Sequence, residues 1–87
     1  MTLWQINFTK KSKKQFDELD FVAKIRLKKA IEKKLATNPE IELVPLLDSL
    51  GGYYKFRVGK YHIICQKDKN NFEILILKVG HRKNIYK

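Results

Sequence analysis

The sequence predicts an α+β fold in the order β-α-α-β-β-β, a helical hairpin packed on a mostly antiparallel four-stranded sheet. Three observations predict it. Apolar residues alternate over 3–8, they recur every four residues over 21–36, and two alternating runs in the last third are separated by Gly59-Lys60.

In the first strand, over 3–8, Trp4, Ile6 and Phe8 point inward and Leu3, Gln5 and Asn7 outward. Thr9 is a good N-cap for a helix running to about residue 19, with Phe16 and Leu19 as its apolar anchors. Asp20 caps a second helix over 21–36. Ala23, Leu27, Ile31 and Leu35 form its buried stripe, Phe21 and Ile25 widen it, and Arg26, Lys29 and Lys33 lie opposite. Asn38-Pro39 stops this helix, because proline disfavours the helical region for the residue before it. A looser segment over 40–50 offers Leu43, Val44, Leu46, Leu47 and Leu50 to the core.

Gly51-Gly52 opens the β third, and strands follow over 53–58 and 61–66. A two-residue loop with glycine first is the preference of a type II′ hairpin. That turn opposes Val58 to Tyr61, Arg57 to His62, Phe56 to Ile63, Lys55 to Ile64 and Tyr54 to Cys65. Side chains alternate with period two, so Tyr54, Phe56, Val58, Tyr61, Ile63 and Cys65 make the core face. Lys55, Arg57, His62 and Ile64 make a cationic outer face. A polar turn over 67–71 leads to a last strand over 72–79. Ile74, Leu75, Ile76 and Leu77 make that strand apolar on both sides, and hence flanked by neighbours. Gly80 ends it.

The 87 residues fit one domain over 1–87. Lys and Arg number 19 against 9 Asp and Glu, a formal net charge of +10, which suits a polyanionic partner. The chain is 44% hydrophobic and 32% charged, enough apolar material for a fold. No run approaches the roughly 20 apolar residues of a membrane span. The N-terminal residues lack the basic and apolar regions of a signal peptide. A lone cysteine, Cys65, excludes an internal disulfide and reads as a small buried apolar residue. His62 and His81 suggest no metal centre, and no cofactor is expected. The chain reads as a cytoplasmic protein with no membrane partner.

The register gathers Lys55, Arg57 and His62, and the end of the last strand can bring His81, Arg82 and Tyr86 to the rim of the same face. Arginine forks bind phosphate oxygens in pairs, lysine adds a compact charge, and an imidazole moves protons near neutrality. Tyr86 can stack on a base or exchange a proton. Lys60 and Lys83 extend the basic surface toward RNA. RNA carries its own nucleophile, the 2′-hydroxyl. Metal-free cleavage then needs a base, an acid for the leaving 5′-oxygen, and cations for the phosphate.

Two motifs strengthen this reading. Residues 54–61 read Y-K-x-R-x-G-x-Y, and residues 79–86 read V-G-H-R-x-x-x-Y. Together with the preceding helical hairpin they resemble RelE-type toxins of the RelE/ParE superfamily over nearly the whole chain. The resemblance implies the toxin of a type II toxin–antitoxin system. RelE-like members cleave mRNA in the ribosomal A site without metal, leaving a 2′,3′-cyclic phosphate or a 3′-phosphate. ParE-like members share the fold and poison DNA gyrase. It also implies that Lys55 and Arg57 are the hairpin's catalytic basic residues, Arg82 the post-strand arginine and Tyr86 the C-terminal tyrosine. His62 stands where relatives usually carry arginine. Implied partners are mRNA, the ribosome and an antitoxin whose acidic segment covers the basic face. The alternatives are a gyrase inhibitor of the same fold and a non-catalytic RNA-binding domain.

Overall fold

The computed structural model describes residues 3–46 and 52–81. Strand β1 spans Gln5–Phe8 and helix α1 Lys10–Asp17. Helix α2, Phe21–Ala30, continues into a π-helical turn at Ile31–Leu35. A short helix α3 (Pro39–Glu42) and strand β2 (Val44–Pro45) follow, then β3 (Tyr53–Val58), β4 (Tyr61–Asp68) and β5 (Glu73–His81). The sheet order is β1-β5-β4-β3-β2. β1 runs parallel to β5, and the other pairings are antiparallel. The fold class is thus α+β as expected, with one more strand than the four read from the sequence. β5 lies between β1 and β4, as its two apolar faces require.

Both predicted caps form. Thr9 Oγ1 accepts from the Ser12 N–H at 3.1 Å, and Asp20 Oδ1 from the Ala23 N–H at 2.7 Å. Each satisfies a backbone donor that the first helical turn leaves open. α1 stops at Asp17, a turn-end short of the expected boundary. The π-turn is seen in the Ala36 N–H donating to the Ile31 carbonyl five residues back, at 2.8 Å. A strict four-residue repeat drifts by about 40° per repeat around an α-helix. Under-winding through the π-turn takes some of that drift back, and Leu27, Ile31 and Leu35 all remain buried.

Those residues pack on Phe56, Ile63, Cys65, Ile74, Ile76 and Val79 of the sheet, with Trp4 and Leu43 closing the cluster. Leu27, Leu35, Ile63, Ile74 and Ile76 are fully buried. Each such side chain contributes about 1.5–3 kcal/mol of transfer free energy.

Three expectations about the core fail. Phe21 and Ile25 do not widen the buried stripe, being 76% and 41% exposed. The four-residue repeat of α2 meets the sheet along a narrow seam, and these two residues fall outside it. Val44 is exposed too, because residues 40–46 are not a loose apolar segment. Pro39 instead sits in the first turn of α3, where its missing N–H is not needed, and Val44 and Pro45 form an edge strand on β3. Leu43 is buried as predicted. Leu47 and Leu50 lie outside the described residues. Ile64, read as solvent-facing, is the third failure and belongs to the site.

Candidate functional site

The β3–β4 hairpin has the register that its turn predicts. Val58 opposes Tyr61, Arg57 opposes His62, Phe56 opposes Ile63, Lys55 opposes Ile64 and Tyr54 opposes Cys65. Gly59 adopts φ +57°, while Lys60 keeps a negative φ, the pattern of a type II′ turn. Lys55, Arg57 and His62 therefore share the sheet face away from the helices. Lys60 is exposed at the turn beside them.

That face is less open at its centre than the alternation suggests. Arg57 is exposed and Lys55 half-buried, whereas His62 and Ile64 are only 8% and 7% exposed. β4 is the middle strand of the sheet, so neighbours on both β3 and β5 shelter its residues. The aliphatic stems of flanking lysines cover such a position while their ammonium groups stay in water.

The pairing of β4 with β5 has an irregularity that periodicity does not reveal. Cys65 opposes Ile76, but Ile64 opposes Lys78, which leaves Leu77 as an extra residue on β5. This is a β-bulge, and it reverses the phase of everything after it. Ile74, Ile76 and Val79 all face the core, and Lys78 and Gly80 join the face of Lys55, Arg57 and His62. Helix α1 brackets the bulge. Ser12 Oγ donates to the Ile76 carbonyl at 2.6 Å, the Thr9 N–H donates to the same carbonyl at 3.0 Å, and the Val79 N–H donates to Gln15 Oε1 at 2.9 Å. These bonds satisfy backbone groups on either side of the irregularity.

The same phase change removes His81. Strict alternation would carry it to the Lys55 face. Instead it opposes Tyr61 on the helix-covered side, the two rings meeting edge to face with centroids 5.8 Å apart. β5 also runs through Gly80 and on to His81, beyond the expected end, with Gly80 opposite His62. Arg82, Lys83 and Tyr86 lie outside the described residues.

Two rows of side-chain positions thus cross the face, Lys55–Ile64–Lys78 and Arg57–His62–Gly80. Among the described residues, Lys55, Arg57 and Lys78 have no ion-pair partner; the ion pairs there join Lys13 to Asp17 and Lys67 to Glu40. Lys78 is the site residue that sequence reasoning missed. Its signal was there: a lysine at a position that alternation from Ile74 and Ile76 assigns to the core. Among the described residues, no three His, Cys, Asp or Glu side chains stand close enough together to hold a metal ion. Nor is any helix there long and apolar enough to cross a membrane. Cys65, fully buried beneath this face, has its thiol pushed up to about 12, chiefly by desolvation.

Comparison with known proteins fixes the family. Residues 6–86 match the model described as the ParE toxin of the type II toxin–antitoxin system parDE. The chain belongs to the ParE toxin family. It is a toxin of a type II toxin–antitoxin system within the RelE/ParE superfamily, the superfamily that the two motifs resemble.

Solved structures of related toxins agree in fold. The RelBE2 toxin–antitoxin complex of Mycobacterium tuberculosis matches this ParE-family chain with a TM-score of 0.86 at 23% identity, covering 97% of each chain. The isolated RelE toxin of E. coli matches with a TM-score of 0.73 at 21% identity, over 90% of this chain and 83% of that one. The RelB–RelE antitoxin–toxin complex of Methanococcus jannaschii matches with a TM-score of 0.69 at 28% identity, over 92% and 94%. No curated protein matches the chain significantly.

Proposed function

We propose that this toxin is a metal-independent endoribonuclease that cleaves mRNA in the ribosomal A site and so arrests translation and growth. The observation that carries the proposal is the joint placement of Lys55, Arg57 and His62 on one face, with no acidic partner for either cation among the described residues. An unneutralised cationic face suits a phosphodiester. RNA needs only a proton acceptor at its 2′-hydroxyl, a proton donor at its 5′-oxygen, and stabilisation of the crowded phosphate between them.

In this mechanism the Arg57 guanidinium grips two non-bridging oxygens, and the post-strand Arg82 adds a second guanidinium to the same phosphate. Lys55 adds charge that strengthens as the phosphorane forms. The 2′-oxygen loses its proton and bonds to phosphorus. The P–O5′ bond breaks, the 5′-oxygen takes up a proton, and a 2′,3′-cyclic phosphate remains. His62 and Tyr86 are the groups that exchange those protons. An imidazole where relatives usually carry arginine replaces a phosphate contact by a proton carrier. Lys60 and Lys83 extend the RNA track, whereas His81 lies on the helix-covered side of the sheet and takes no part in it.

The domain acts as one unit over 1–87 in the cytoplasm. Its antitoxin is an acidic protein that covers the same cationic face. The matched structures include toxin–antitoxin complexes, which supports a protein partner of this kind. A second reading, a gyrase-directed toxin without chemistry of its own, is favoured by the family description, which names parDE.

Primer extension on a translated mRNA separates the two. Purified toxin is added with ribosomes in magnesium, and to free RNA in EDTA. Cuts within codons only in the ribosome arm are the expected result. Cuts in free RNA would keep the nuclease and remove the ribosome. Intact mRNA with accumulating gyrase-linked DNA breaks would establish the second reading.

A further inference from the structure

We propose that Lys78 is a further RNA-binding residue of this face, holding the phosphate next to the scissile one, and that Gln15 of α1 is the residue that positions it. This rests on the endoribonuclease reading above and adds to it a contact and the device that places it.

Lys78 occupies the Lys55–Ile64–Lys78 row, two strands from Lys55. Strands lie about 4.8 Å apart, so the two lysine backbones are separated by roughly 10 Å across the sheet. That separation lets Lys55 serve the scissile phosphate with Arg57 while Lys78 meets the next phosphate of a single strand laid across the hairpin. Lys78 is half-buried and has no acidic partner among the described residues. Its stem lies beside Ile64, an arrangement that lets the apolar part of the chain pack while the charge stays available.

Lys78 reaches this face only because of the bulge at Leu77. With regular pairing, Lys78 would follow Ile74 and Ile76 into the core, where an unpaired charge is strongly unfavourable. The Val79 N–H next to Lys78 is satisfied by Gln15 Oε1 at 2.9 Å. The helix thus fixes the shifted phase from behind the sheet, and the cation emerges in front.

The test compares Lys78→Ala, Lys78→Arg, Gln15→Leu and Gln15→Glu with wild type, using Lys33→Ala on the helix layer as a charge-matched control. Fluorescence anisotropy with a short single-stranded RNA, read across a salt series, gives the first readout. The slope of log K against log salt should fall by about 0.7 in Lys78→Ala, the loss of one phosphate contact. Lys78→Arg and the Lys33 control should keep the wild-type slope. Cleavage of ribosome-bound mRNA gives the second. Lys78→Ala should raise KM roughly tenfold with kcat nearly unchanged, because the contact is present in ground and transition states alike.

Gln15→Leu should reproduce the Lys78→Ala slope with its lysine intact, and Gln15→Glu, which keeps the acceptor, should behave as wild type. If Gln15→Leu fails to fold, the Lys78 variants still decide. A Lys78→Ala protein with wild-type slope and wild-type KM overturns the inference. Wild type that leaves mRNA uncut overturns the nuclease reading instead, and the salt slopes then rule on Lys78 by themselves.

Discussion

Arg57 and His62 are direct partners across the β3–β4 ladder, yet Arg57 is exposed and His62 is buried. Their shared face sets two depths of chemistry. The guanidinium stands where it meets a phosphate arriving from solvent. The imidazole sits below it on the central strand, between Arg57 and Gly80. Arg57→Ala should lower mRNA cleavage by about 10²–10³-fold, the usual cost of removing a donor to a developing anion. Arg57→Lys should recover only part of it, since an ammonium cannot present the fork. Single-turnover cleavage on ribosomes measures both, and an unchanged urea midpoint confirms that the fold is intact.

Gly59 sets the register on which the face depends. Its φ of +57° lies in the left-handed region, and the space where a Cβ would stand is empty. The penalty for Gly59→Val is therefore one of backbone conformation, not crowding, and should be about 1–2 kcal/mol. Urea unfolding gives this directly. Cleavage should fall as well, because Lys55, Arg57 and His62 share the hairpin.

Leu27 is fully buried where α2 meets the sheet. Leu27→Ala should destabilise the protein by about 2–5 kcal/mol, the range for a leucine deleted from a packed core. Phe21→Ala, at an exposed position on the same helix, should change stability by less than about 0.5 kcal/mol. The contrast in urea midpoints tests the narrow-seam packing of α2.

Cys65 gives the pH dependence. Desolvation pushes its thiol from an ordinary 9.0 up to about 12, so the folded state holds the proton longer than the unfolded chain does. This contribution is fully present below about pH 9 and is lost as pH rises through the folded value. Wild type should therefore lose stability with rising pH more steeply than Cys65→Ala, by up to about 1.4 kcal/mol per pH unit above the ordinary value. At about pH 8 the native thiol should resist a thiol-specific reagent and react only on unfolding.

The hairpin was legible because one short loop, Gly59-Lys60, determines five cross-strand pairs without help from the rest of the chain. The caps at Thr9 and Asp20 were legible for the same local reason. The bulge at Leu77 was harder to read: the apolar run 74–77 hides the phase change, and the charge of Lys78 at a core-phase position is its one trace. One extra residue on β5 moved Lys78 onto the face and His81 off it. Phe21 and Ile25 were misplaced because a helical stripe shows which residues are near the seam, not how wide the partner surface is. Arg82, Lys83 and Tyr86 rest on the C-terminal motif alone.

The most direct measurement is a pair of mRNAs on programmed ribosomes, identical except for a 2′-deoxy nucleotide at the mapped scissile position. The proposed mechanism predicts that the all-ribose message is cut, leaving a 2′,3′-cyclic phosphate, and that the deoxy message stays whole. Equal cutting of both at the same bond, or an all-ribose message left whole beside gyrase-linked DNA breaks, would contradict it.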